Sequence, residues 1–208
     1  MTLRAFSLTI VILSLSACTI PRIIVLHDPL SVDEHLQLAA IYEVQQKFDL
    51  ARDQFHQALE KDKKSVRAWQ LFGDFSFRRK EFGQAEDAYS RAAALDPKNG
   101  DLLNNLAWVY LELGKNPEKA EKLARQAIEL SPSHRPYYLD TLGVALTRAG
   151  DLKGSLAALT ESVATLPTDQ PAFLAEAYDH LAVLYDALGN AEERDRAAAR
   201  ARELRGGK

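Results

Sequence analysis

Residues 66–99 read VRAWQLFGDFSFRRKEFGQAEDAYSRAAALDPKN, and the order of large and small side chains in them decides the fold. Trp69, Phe72, Gly73 and Ser76 fall at offsets of three, four and seven, and so do Ala85, Tyr89 and Ala92. Such offsets put side chains on one stripe of an α-helix. The charged run from Arg78 to Glu81 separates the two stripes, and Pro97, which lacks a backbone N–H, ends the second. The stretch therefore predicts two helices folded back on each other. The small residues let them approach closely, and Phe72 and Tyr89 fill the space left between them.

Working outward in both directions, the same comb recurs. The pair of a bulky and a small residue appears as Leu38-Ala39, Phe72-Gly73, Leu106-Ala107, Leu142-Gly143 and Leu181-Ala182, spaced by 34, 34, 36 and 39 residues. Each is followed three residues later by Tyr42, Ser76, Tyr110, Leu146 or Tyr185, and then by Ala51, Ala85, Ala120, Ser155 or Arg194 in the second helix. Phe55 with Ala58, Tyr89 with Ala92, Ala124 with Ala127, Leu159 with Ser162 and Ala198 with Ala201 complete the units. Pro97, Pro132 and Pro167 close three of them, whereas Lys63 stands where the first would be closed. Internal periods of this length are the mark of a solenoid.

The comb resembles the tetratricopeptide repeat (TPR). The resemblance implies an all-α, right-handed superhelical solenoid of about five helix-turn-helix repeats, at about residues 32–65, 66–99, 100–135, 136–169 and 175–205, within a domain spanning 31–205. Three positions depart from the pattern: Lys63, Ser76 in place of a large residue, and Arg194 in place of a small one. Caps agree with ten helices. Ser31 with Glu34 forms a capping box, Asn116-Pro117 reads as a cap followed by a first-turn proline, and Gly114, Gly150 and Gly189 sit where first helices must turn. The last helix carries Arg194, Arg196, Arg200, Arg202 and Arg205 among alanines and reads as a polar cap, with a basic docking edge as the alternative.

The first seventeen residues belong to a different pattern. Arg4 precedes an uncharged run from Ala5 to Leu15, too short for the ~20 residues that span a bilayer. The run reads as an export signal ending at residue 17. Leu15-Ser16-Ala17-Cys18 resembles the lipobox of bacterial lipoproteins, which implies cleavage, a lipidated Cys18, and a tether over residues 18–30. It further implies membrane attachment through that lipid and residence in the cell envelope, at the outer membrane facing the periplasm in a Gram-negative organism, since Thr19 rather than Asp follows the cysteine. Cys18 is the only cysteine, so the chain forms no internal disulfide and no cysteine metal site. Within the tether, Ile23-Ile24-Val25-Leu26 is more apolar than a flexible linker requires, and we expect it to pack on the first repeat or its groove.

A charge of −3, from 26 Lys and Arg against 29 Asp and Glu, gives no basic surface for nucleic acid. The five histidines, at 27, 35, 56, 134 and 180, form no metalloprotease pair, and no nucleophile elbow, phosphate loop or paired-cysteine motif appears. No cofactor, metal site or catalytic residue is expected, and the chain reads as a binding protein. The resemblance implies a protein or peptide segment bound on the concave wall formed by the first helix of each unit. Positions expected on that wall are Gln70, Asp74, Phe77, Asn104, Trp108, Leu111, Tyr137, Asp140, Val144, Thr147, Asp179 and Val183. Trp108 has two readings, an anchor for the guest or a spacer between neighbouring helices. Family members that clamp a C-terminal carboxylate use Lys, Arg and Asn. Leu36, Gln70, Asp140 and Asp179 stand at positions of that clamp, and the Asp residues favour basic or neutral segments instead. The expected role is an interaction scaffold or assembly factor of the bacterial envelope. The alternative is an accessory subunit of an envelope enzyme such as a peptidase or polysaccharide machinery.

Overall fold

The computed structural model describes residues 28–206. The export signal, Cys18 and the Ile23–Leu26 strip lie outside the described residues. Ten α-helices follow in five antiparallel pairs: α1 (Val32–Val44) with α2 (Phe48–Lys61), α3 (Val66–Arg78) with α4 (Phe82–Leu95), α5 (Gly100–Glu112) with α6 (Pro117–Leu130), α7 (Arg135–Ala149) with α8 (Leu152–Thr165), and α9 (Pro171–Ala187) with α10 (Ala191–Gly206). A single 3₁₀ turn, Pro132–His134, precedes α7, and no strand occurs among the described residues. The architecture is all-α.

Close approach within each pair depends on the small residues. Ala39, Ala107, Gly73 and Gly143 are buried on the first helices, and Ala51, Ala85 and Ala120 on the second. At Gly73 a Cβ would lie 2.7 Å from the Tyr89 ring, and at Gly143 it would overlap Leu159 Cγ more closely still. In these two pairs the bulky residue of the second helix thus occupies the volume that a side chain on the first would need. Apolar clusters bridge consecutive pairs: Leu36, Phe55, Phe72 and Phe75 join the first two, and Tyr89, Leu102, Leu106, Tyr110 and Val144 run from α4 to α7. Stability therefore comes from stacking, since one pair cannot cover its own apolar face.

The turn inside each pair repeats one backbone device. Gln46, Lys80, Gly114, Gly150 and Gly189 all have positive φ, between 58° and 86°, and they recur with the spacing of the sequence comb. The next residue's N–H bonds back to the first helix, Lys47 to Tyr42, Glu81 to Ser76, Lys115 to Tyr110, Asp151 to Leu146 and Asn190 to Tyr185, at 2.8–3.3 Å. This is a Schellman closure. Glycine meets the requirement in three turns, while Gln46 and Lys80 adopt the left-handed conformation with a side chain.

The capping box at Ser31 and Glu34 forms in both directions. Asn116 does not cap α6: it is itself left-handed, φ 51°, and its side chain makes no cap bond, so Pro117 alone marks the start. Helix α9 starts at Pro171, earlier than the expected 175, because proline fits a first turn without losing a hydrogen bond. Ser76 is fully buried where other units carry Tyr or Leu, and its hydroxyl finds no partner among the described residues. Ahead of α1, Asp28 is held by His35 Nε2 at 2.5 Å, and its carbonyl accepts from Lys61 Nζ at 2.8 Å. At the other end α10 buries only Ala197 and Ala201. Its Arg194, Arg196, Arg200 and Arg205 pair with Asp186, Glu192, Glu193, Asp195, Glu203 and Asp179, consistent with a solvated polar cap.

Candidate functional site

The first helices α3, α5, α7 and α9 share one concave wall, and three adjoining hollows on it meet at Trp108. The smallest, about 360 Å³ of open space, lies among Trp108, Tyr137, Asp140, Leu166, Phe173 and Glu176. A second, about 480 Å³, runs past Glu112, Val144, Thr147, Arg148, His180 and Val183. The third, about 910 Å³, reaches across the curve from Phe77, Arg78, Lys80 and Phe82 to Glu176 and His180. The solenoid curls far enough for the second and fifth pairs to border the same space. Trp108 is half-buried: it packs at the edge of the α4–α7 core, and its ring tilts against His180 at 5.5 Å between centroids. Part of the indole packs on the core and part lines the open wall.

Charges on the wall are arranged in pairs. His180 Nδ1 lies 2.9 Å from both carboxylate oxygens of Asp140, joining α9 to α7. Burial alone favours the neutral imidazole, but the hydrogen bond and the charge of Asp140, helped by Glu176 and Asp179, outweigh it and raise the pKa of His180 above 6.5. Arg148 donates to the Leu111 carbonyl, and Arg78 makes a two-point pair with Glu43 at 2.8 and 2.9 Å. Glu112 and Glu176 form no ion pair among the described residues. The wall therefore offers aromatic surface and carboxylates held outside ion pairs, the chemistry of a binding surface. Among the described residues no group of three His, Cys, Asp or Glu is placed to hold a metal ion.

Two family models, both described as tetratricopeptide repeat, match residues 36–100 and 76–143. The chain belongs to the tetratricopeptide-repeat family. The type IV pilus assembly protein PilF of Pseudomonas aeruginosa is 28% identical over 109 residues, which cover 50% of this chain and 42% of that one. The chain spans less than half the length of the curated relatives it matches. Among solved structures, PilW, described as a widely conserved type IV pilus biogenesis factor, superposes with a TM-score of 0.73 at 20% identity, over 83% of this chain and 77% of that one. YrrB, described as a TPR protein with an unusual peptide-binding site, superposes at 0.62 with 20% identity, over 85% and 88%. These likenesses show the TPR solenoid fold.

Within this TPR wall, the positions expected from sequence are not all brought together. Phe77, Trp108, Tyr137, Asp140, Val144, Thr147 and Val183 border the hollows. Leu111 does not: it is 1% exposed, turned into the core one residue short of Glu112. Asp74 is half-buried and accepts from Tyr89 Oη at 2.5 Å, so its carboxylate is spent inside the pair; burial raises its pKa, against that bond. Asp179 faces α10 and pairs with Arg205. Asn104 has its Oδ1 buried with no partner among the described residues, and Gln70 is half-buried away from the hollows. The sequence reading missed Phe173, Glu176 and His180, together with Glu112 and Arg148. The α9 residues are spaced three and four apart and lead on to Val183, a legible helical stripe once the helix is begun at Pro171. Starting it at 175 left Phe173 in a loop and chose Asp179 over its neighbour.

Proposed function

We propose that the protein is a TPR interaction scaffold, without catalytic activity of its own, that seats a protein segment along the concave wall around Trp108. The observation that carries this reading is the meeting of three hollows from four first helices at one half-buried indole. Large aromatics in such positions dominate interface energetics. Similarity to PilF and to the PilW fold supports an assembly role in a bacterial envelope, and the peptide-binding site of YrrB supports peptide binding by this fold.

The anchoring belongs to the same proposal. The leader with its lipobox makes Cys18 the lipid attachment point, and residues 18–30 tether the repeats of 31–205 beneath it, in the outer membrane facing the periplasm of a Gram-negative cell. Two or more acyl chains suffice for stable anchoring at ~0.8 kcal/mol per buried methylene. Among the described residues no helix is long and apolar enough to cross a membrane.

Deletion in the source bacterium, followed by counting surface pili, tests the reading. Wild-type protein should restore assembly, Cys18→Ser should leave the protein out of the membrane fraction, and Trp108→Ala should fail to complement although folded. Full complementation by Trp108→Ala would refute the groove.

A further inference from the structure

The smallest hollow differs from its neighbours in composition. Trp108, Tyr137 and Phe173 supply aromatic walls, Leu166 an apolar side, and Asp140 and Glu176 two carboxylates, with no basic side chain among the lining residues. The cations of the wall line the other two hollows, and two of them are engaged: Arg148 by the Leu111 carbonyl and Arg78 by Glu43. His180 and Arg205 both feel the charge of Glu176, but His180 is bonded to Asp140 and Arg205 to Asp179, so Glu176 stands outside any ion pair among the described residues.

The hollow is also built rather than incidental. Tyr137 donates its hydroxyl to Gln170 Oε1 at 2.6 Å, and its ring meets Phe173 edge-on at 5.1 Å and 78°. His180 holds the other side of the box against the Trp108 indole. Phe173 remains 50% exposed, an aromatic wall that the fold leaves uncovered. It is the smallest of the three hollows on the wall, a recess that suits the end of one side chain rather than a larger ligand.

Aromatic faces attract a cation through the ring quadrupole, and a planar guanidinium both stacks on rings and bonds carboxylates through its fixed fork of donors. We propose that this hollow is an arginine pocket: it takes a single arginine side chain of the bound protein segment, its guanidinium between the aromatic walls and bonded to Glu176, with Asp140 completing the acidic side. The pocket rests on the groove reading above and adds the chemistry of the guest.

The full chain in detergent, labelled with ¹⁵N on its indoles, tests the pocket. Its two tryptophans give two indole N–H signals, and the Trp108→Phe variant assigns them. The probes are an acetylated, amidated Gly-Ser-Arg-Ser-Gly peptide and its counterpart with neutral citrulline in place of arginine. The arginine peptide should move the Trp108 signal and leave that of Trp69 in place, binding about tenfold more tightly than the citrulline peptide. Glu176→Gln and Phe173→Ala, both at exposed positions that leave the core intact, should each weaken it about three- to tenfold. Equal affinity for the two peptides, or undiminished binding in both variants, overturns the pocket. If the arginine peptide fails while Trp108→Ala still abolishes pilus complementation, the pocket falls and the groove stands. If the peptide binds as expected and Trp108→Ala complements fully, the groove falls as the functional surface and the pocket stands.

Discussion

Gln46 and Lys80 perform at the residue scale what glycine performs in the three later turns. A side chain in the left-handed region costs about 1–2 kcal/mol, and Gln46 is exposed, so its side chain gives up little when removed. Gln46→Gly should therefore raise stability by about 0.5–1 kcal/mol, net of glycine's greater freedom when unfolded. Urea denaturation checks it, and a lower midpoint would show that the side chain makes an unrecognised contact. The His180–Asp140 pair makes a second prediction. Protonated His180 is bonded by Asp140 when folded, so its pKa is raised. The stability it lends is full below pH 6.5 and is lost as pH rises through the raised folded value. Asp140→Asn should accordingly narrow its deficit relative to wild type as pH climbs, read from urea midpoints along a pH series. A deficit independent of pH would mean that the pair is not a titrating contact. The facing groups are Asp140 on α7, Glu176 and Asp179 on α9, and the Trp108 ring on α5.

The element that matters is the helix pair, and its tightest point is a missing side chain. Gly143→Ala would set a methyl against Leu159 Cγ, a branch point that cannot swing away as a side-chain tip could. Overpacking of this kind costs about 1–3 kcal/mol, partly offset by about 1 kcal/mol of helix propensity, so a net loss of about 1–2 kcal/mol should appear in thermal or urea unfolding. A neutral or stabilised Gly143→Ala would show that α7 and α8 can part without loss. This closeness was legible in the sequence, because Gly143 and Leu159 are the small and large teeth of the comb. The pairing of helices, the three glycine turns and the polar last helix were legible for the same reason: each is marked by residue types that recur at the spacing of the comb. The wall was legible only where its register follows from the comb, as at Trp108, Tyr137, Asp140, Val144 and Thr147. It failed at Leu111 and Asp179, where one residue rotates a side chain by about 100° on a helix. It also failed at Asp74, whose bond to Tyr89 joins residues 15 apart, and at His180, whose partner Asp140 lies 40 residues away.

At the scale of the whole molecule, apolar clusters cross from pair to pair, so curvature is set by stacking and the wall emerges only when several pairs are in place. The hollow from Phe77 to His180 exists because α3 and α9, three pairs apart, face the same space. A guest on this wall touches several repeats together, and a guest elsewhere touches the outer helices. Site-specific photocrosslinking in the native membrane separates the two most directly. A benzophenone side chain at Val183, 62% exposed beside Trp108 and His180, should give a discrete adduct with the partner. The same group at the exposed Gln57 or Glu129 on second helices should give none. Adducts from the second helices with none from Val183 would contradict the account.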